Sequence, residues 1–297
     1  MKPLLLYAAL AVALCGCAPA HHGRGLQVVA AESFWGSIAA QLGGKHATVE
    51  SIVQSPAIDP HSYEPTASDA RRLAAADVAV VNGIGYDRWA SQLLAANPSS
   101  GRVVVDAGEV LGLGGGANPH QWYSPASVRR LVDAITAAYR RADPKDAAYF
   151  AARKRAFEQH GLARYDALRA RIRARYAGTP VGFSESIFVP LGRDLHLDLR
   201  TPAGFAKSVA EGTEVSVADS AAVTRQIADR RIAIWVFNSQ NVTPEVSQLT
   251  ALARRSGIPV VTVTETLSPE GATFQAWQST QLAHLAAALR RAGTREG

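Results

Sequence analysis

Cysteine is nearly missing from this 297-residue chain: the two present, Cys15 and Cys17, both lie within the first 17 positions. No disulfide framework can therefore brace the body of the chain, and no thiolate cluster is available for a soft metal such as Cu(I). Methionine occurs once, at position 1. A membrane-spanning helix needs ~20 apolar residues in a row; the run from Leu4 to Leu14 is too short, and no other segment is long and apolar enough. The H-E-x-x-H signature of hydrolytic zinc enzymes is also missing. Charged residues make up only 19% of the chain against 47% hydrophobic, ample for a sizeable core. The net charge of +6 comes largely from arginine. That balance suits solubility or nearness to an anionic lipid surface, and no nucleic-acid partner is expected. The densest basic stretch, Arg169 to Arg175, reads as a solvated helix face.

What is present begins with a targeting segment. Lys2, the apolar run and Leu14-Cys15-Gly16-Cys17 form a charged start, an h-region of signal-peptide length and a small residue before a cysteine. The L-x-G-C ending matches a bacterial lipobox. Residues 1–16 are thus expected to be a lipoprotein signal peptide and Cys17 the lipidated first residue of the mature chain. The expected location is extracytoplasmic, anchored by lipid to a bacterial membrane. Residues 17–25 read as a lipidated tether, with A-P-A-H-H-G-R-G as its flexible part.

From residue 26 short β-branched runs alternate with helical patterns: Leu26–Ala31, Val49–Val53, Val78–Val81 and Val103–Val105, then Val181–Phe183, Leu195–Leu199, Ile232–Phe237 and Val260–Val263. Runs apolar on both faces suit parallel sheets covered by helices. S-D-A-R-R-L-A-A-A-D-V-A-V-V-N-G and A-D-S-A-A-V-T-R-Q-I-A-D-R-R-I-A-I-W-V-F-N both run cap, helix, buried strand, Asn. The fold class expected is therefore α/β, with two similar lobes, each a mainly parallel sheet flanked by helices. Between them, Asp143-Pro144 starts a helix and Gly178 with Pro180 stops it. The organisation predicted is an N-terminal lobe over 26–143, a linking helix over 144–177 and a C-terminal lobe over 178–297. Taken whole, that helix would be about 50 Å long, with Gly161 able to bend or break it.

The chemistry sits in loops. His61 in D-P-H-S-Y-E-P-T and His120 in N-P-H-Q-W-Y-S-P stand in proline-bounded segments whose restricted backbones hold an imidazole in place. Neutral imidazole is the commonest protein metal ligand. Glu185 follows Val181–Phe183 directly, and Glu265 follows Val260–Val263. All four residues fall at or beyond strand C-termini, where open α/β sheets bind ligands. Two come from each lobe, so a cation would sit in the cleft between. Asn238 and Gln240, just after Ile232–Phe237, are candidates to orient those ligands. Phe34, Trp35, Trp122, Phe188, Phe274 and Trp277 are expected in the core between the lobes. His196 reads as an exposed residue of a strand, His284 as a surface residue of a C-terminal helix, and His46 and His160 as solvated.

A-A-E-S-F-W-G-S-I-A, D-P-H-S-Y-E-P-T, V-N-G-I-G-Y-D-R-W, N-P-H-Q-W-Y, S-E-S-I-F, V-T-E-T-L-S-P and F-Q-A-W, in that order, resemble the solute-binding lipoproteins of bacterial ABC importers for zinc and manganese. The resemblance covers nearly the whole mature chain. It implies two lobes on a long rigid helix and one metal held by His61, His120, Glu185 and Glu265. It implies delivery to an ABC permease and its ATPase by a monomeric receptor that is not an enzyme. The long His-rich loop of many zinc-specific members is absent here. Two imidazoles and two carboxylates suit Zn²⁺ if each glutamate gives one oxygen and Mn²⁺ if each gives two; Fe²⁺ also fits such donors. Four protein ligands leave little room for an activated water, which argues for binding over catalysis. The alternatives are a lipid-anchored adhesin with a structural metal and, from another class, a metallohydrolase.

Overall fold

A computed structural model describes residues 25–293, apart from Pro56 and residues 58–62. The expected lipidation at Cys17 and the expected ligand His61 both lie outside the described residues. The chain runs β1 (Leu26–Glu32), α1 (Ser33–Gly43), β2 (Ala47–Val53), α2 (Ala67–Ala75), β3 (Val78–Val81), α3 (Arg88–Ala96), β4 (Val103–Asp106), α4 (Ala107–Leu111) and α5 (Pro125–Ala142). After α6 (Ala147–Ala156) and α7 (Ala163–Tyr176) come β5 (Pro180–Phe183), α8 (Val189–Asp194), β6 (Asp198–Leu199), α9 (Ala203–Ala210), α10 (Val217–Ala228), β7 (Ile234–Asn238), α11 (Pro244–Arg255), β8 (Val260–Val263) and α12 (Phe274–Gly293).

The strands form two four-stranded parallel sheets of the same order, β2-β1-β3-β4 and β6-β5-β7-β8. Central strand β3, Val-Ala-Val-Val, is buried at every residue, as a parallel strand covered on both faces must be. It pairs Val78 with Val28 on one side and with Val103 on the other. Helix ends follow local chemistry. Thr66 and Asp69 cap α2 reciprocally, and Ser124 accepts from Ser127 N with Pro125 in the first turn of α5.

Between the sheets, residues 144–176 are helical with interruptions. Pro144–Asp146 is a 3₁₀ turn, and a π-helical turn over Phe157–Gly161 separates α6 from α7. Leu162 N bonds Phe157 O, the i to i+5 spacing, and a Cβ at Gly161 would lie 3.2 Å from the Phe157 ring. The extra residue lets buried Phe157 keep its place in the core while the helix continues. Helix α12 packs on β8 and α7 and reaches back to α1, where Phe274 N donates to Ser37 Oγ and Gln41 bonds Gln275. One hydrophobic core runs without a break from β1 through Trp122 and Tyr165 to Phe183 and Trp277. The six expected core aromatics all belong to it.

Three expectations need correction. His196 is exposed but not in a strand: β6 is only Asp198–Leu199, and His196 has φ 57 where α8 ends. Its N–H bonds Arg193 O and Leu197 N bonds Gly192 O, so the buried leucines at 195 and 197 flank a helix terminus. His46 is half-buried, paired with Asp146 and stacked on Tyr149 at 4.1 Å. The basic face of α7 is also partly engaged. Arg169 bonds Asp166 and Asp194, Arg173 bonds Asp194, and Arg129 of α5 bonds Asp166, strapping the strut to both halves.

Candidate metal centre

Three of the four expected ligands converge. His120, Glu185 and Glu265 are buried, and one donor atom from each lies within 4.8 Å of the others. Donors around one ion at bonds of about 2.1 Å stand within about 4 Å of each other, so a small contraction would close this set on a cation. Glu185 and Glu265 each stand two residues beyond a strand, β5 and β8, whereas His120 comes later, after α4 and a loop.

Asn118 orients the imidazole. Its Nδ2 donates to Ser186 O across the cleft at 2.7 Å, and its Oδ1 accepts from His120 N at 3.0 Å. With the amide fixed this way round, the 2.9 Å contact from Oδ1 to His120 Nδ1 requires a proton on Nδ1. Nε2 faces Glu185 Oε1 at 3.3 Å. That oxygen is buried and accepts no hydrogen bond from the described residues. A ring nitrogen and a carboxylate oxygen set against each other, out of water, are two atoms that one cation could share.

Asn238 and Gln240 meet the same centre. Asn238 Nδ2 donates to both glutamates, at 2.6 Å to Glu185 Oε2 and 2.8 Å to Glu265 Oε1. Gln240 Oε1 accepts from Glu265 N and Thr266 N, which holds the loop carrying Glu265. Tyr86 closes the centre from the first sheet, its hydroxyl donating to Glu265 Oε2 at 2.6 Å. Burial, and then the Glu265 carboxylate, push the Tyr86 phenol well above its ordinary range, so it remains a donor. Phe34 stacks on Trp122 at 3.8 Å, and Trp122 lies 5.2 Å from the His120 ring, an aromatic wall that keeps water out.

Residues 28–288 match the family described as zinc-uptake complex component A, periplasmic (ZnuA). The chain belongs to that family. Among relatives, this ZnuA-family chain is 31% identical over 163 residues to the manganese-binding lipoprotein MntA of Halalkalibacterium halodurans, covering 52% of this chain and 54% of that one. It therefore spans about half the length of that relative. The iron-binding protein YfeA of Yersinia pestis is 25% identical over 268 residues, 86% of this chain and 74% of YfeA. The fold is that of FpvC of Pseudomonas aeruginosa, a solute-binding protein solved with Mn²⁺, with a TM-score of 0.72 at 22% identity over 90% of this chain and 99% of FpvC.

Beside the centre, the ZnuA-family chain holds a second buried acid pair that its sequence did not announce. Glu32, at the end of β1, hydrogen-bonds Asp87, which also accepts from Asn82 N and Gly83 N at 2.7 and 2.8 Å. Burial, and then the Asp87 charge, raise Glu32 well above the usual carboxylate range; burial raises Asp87 to about 6. Both values lie above those of an unfolded chain, so the folded chain holds the extra proton. The pair's contribution to stability is complete below about pH 4 and is lost as pH rises through about 6 and beyond. Glu32→Gln keeps a donor toward Asp87 and removes one titration. Urea unfolding at acid and neutral pH should show wild type losing stability between the two, with a smaller loss in the variant.

Tyr86, Asn118 and Ser186 were not singled out from the sequence. Asn118 left a usable signal, because an Asn two residues before a fixed residue commonly caps its backbone N–H. Tyr86 left none, since its partner lies 179 residues away.

Proposed function

We propose that this chain is the extracytoplasmic binding component of a metal importer, tethered through a lipid on Cys17. It captures one divalent transition-metal cation between its lobes and hands it to a membrane permease. His61, His120, Glu185 and Glu265 are the ligands, and the cation is cargo; nothing is turned over. The observation that carries this reading is the buried convergence of His120, Glu185 and Glu265, with donor atoms within 4.8 Å of one another across the boundary between the lobes. Family membership and the metals named for MntA, YfeA and FpvC support it. Two glutamates neutralise a divalent charge, and the oriented Nε2 adds a neutral donor, a set that accepts Zn²⁺, Mn²⁺ or Fe²⁺. Asn238 bridges the two carboxylates through one amide nitrogen, and Tyr86 bridges the lobes at Glu265.

The test is metal stoichiometry. Full-length chain in detergent, stripped with a chelator, would be equilibrated with Zn²⁺ or Mn²⁺, desalted and assayed by mass spectrometry beside His120→Ala. Wild type is expected to keep about one equivalent and the variant to lose it. No retained metal in wild type, or equal amounts in both, overturns the reading. An unchanged circular-dichroism spectrum after stripping would separate a carried ion from a structural one.

A further inference from the structure

Above the buried donors lies a cavity of about 1570 Å³, walled by both halves of the chain. Tyr86, Asn118 and Ser186, the residues that touch the donors, form part of its lining. Ligand pockets for small molecules commonly measure about 300–1,000 Å³, and a bare cation needs a small fraction of that. The charges on its walls are also the wrong sign for a bare cation. Arg88 opens α3 on one wall; Arg193 of α8 and Lys207 of α9 stand on the other. Of the acids there, Asp194 is already bound by Arg169 and Arg173, and Glu211 lies 3.8 Å from Lys207. Arg88 and Arg193 are exposed and have no carboxylate partner among the described residues. Among the described lining residues three cations stand against two acids, and both acids are already beside cations, so this entrance favours an anion over a free divalent cation.

Taking the metal-binding reading above as given, we propose that the cleft receives its metal as an anionic polycarboxylate complex, of the metal–citrate class, with Arg88 and Arg193 engaging the chelator from opposite walls. Guanidinium groups match carboxylates through paired hydrogen bonds, which suits a hydroxycarboxylate chelator. The two glutamates below already balance the ion's charge, so the chelator's negative charge needs these separate cations. In the exchange, bonds from the metal to chelator carboxylates break as bonds to His120, Glu185 and Glu265 form. The chelator leaves with its own charge, and no electron or proton need change hands.

The test uses full-length chain, metal-stripped and in detergent, with tryptophan fluorescence in stopped flow as the reporter, since Trp122 lies 5.2 Å from the His120 ring. Zn²⁺ is supplied either as its citrate complex or as a cationic complex with diethylenetriamine, at equal free Zn²⁺. Wild type should capture from citrate about tenfold faster or more at low ionic strength, with the advantage shrinking as salt is added. Arg88→Ala/Arg193→Ala should lose that advantage while binding the same amount of metal at equilibrium. Arg88→Glu/Arg193→Glu should reverse it. Equal capture rates from the two complexes in wild type, or an advantage that survives in both double variants, overturns the proposal and assigns the arginines to another partner. A chain that binds no metal from either complex overturns the metal-binding reading instead, a result the equilibrium arm reveals by itself.

Discussion

Asn238→Ala is expected to destabilise the metal-free chain by about 3–6 kcal/mol, two hydrogen bonds to buried carboxylates being lost at once. A fall in Tm of about 10 °C follows for a chain of this size. The side-chain amide is the group that donates to both Glu185 and Glu265. Its own oxygen accepts from Gln240 N and its backbone N–H donates to Ser184 Oγ, so it cannot swing away without further loss. Removing it leaves two buried carboxylates with one donor fewer each, and they must take up a proton or admit water. A divalent cation performs the same neutralisation more strongly. Saturating Zn²⁺ should therefore restore most of the lost Tm, through its preference for the folded chain. Differential scanning calorimetry of wild type and variant, with and without Zn²⁺, decides the matter. An equal loss in both conditions would make Asn238 a structural residue only.

The second large effect lies in the turn that aims Tyr86. Gly83, Ile84 and Gly85 all have positive φ, at 65°, 57° and 84°, an arrangement that costs Ile84 about 1–2 kcal/mol. A Cβ at Gly83 would come within 2.2 Å of Asp106 Oδ1 and 2.7 Å of its Cγ. Asp106 cannot yield freely, because that oxygen accepts from Glu109 N and caps α4. Gly83→Ala should therefore lose about 3 kcal/mol from backbone strain and overpacking together. Gly116→Ala is the matched control. Its φ is 89°, but a Cβ there meets nothing within 4 Å, so about 1 kcal/mol is expected from strain alone. Urea midpoints of the two variants should differ accordingly. Similar losses would mean that Asp106 moves aside and that the turn is softer than its contacts indicate.

Strands and centre were legible in the sequence for one shared reason. Parallel strands buried on both faces leave continuous β-branched runs, and ligands cluster where those strands end. Hence Val78–Val81 and Val260–Val263 could be read directly, and His120, Glu185 and Glu265 could be grouped although 145 positions separate the first from the last. Asn238 and Gln240 followed from the same placement. What could not be read depends on pairs made only in the folded chain. The π turn at Phe157–Gly161 answers the need to seat one phenyl ring in the core. The left-handed His196 depends on where α8 stops. The engagement of Arg169 and Arg173 depends on Asp194 arriving from another helix.

The identical strand orders make β1 the counterpart of β5 and β3 the counterpart of β7. Glu32-Ser33-Phe34 then stands where Glu185-Ser186-Ile187 stands, and Asn82 where Asn238 stands. Matching positions have been put to different uses. In the first half the asparagine accepts from the Trp35 indole and the glutamate shares a proton with Asp87. In the second half the asparagine donates to two carboxylates and the glutamate faces an imidazole. One glutamate–asparagine arrangement thus recurs at both strand ends, turned inward to a neighbouring acid in the first half and outward to the opposite half of the chain in the second.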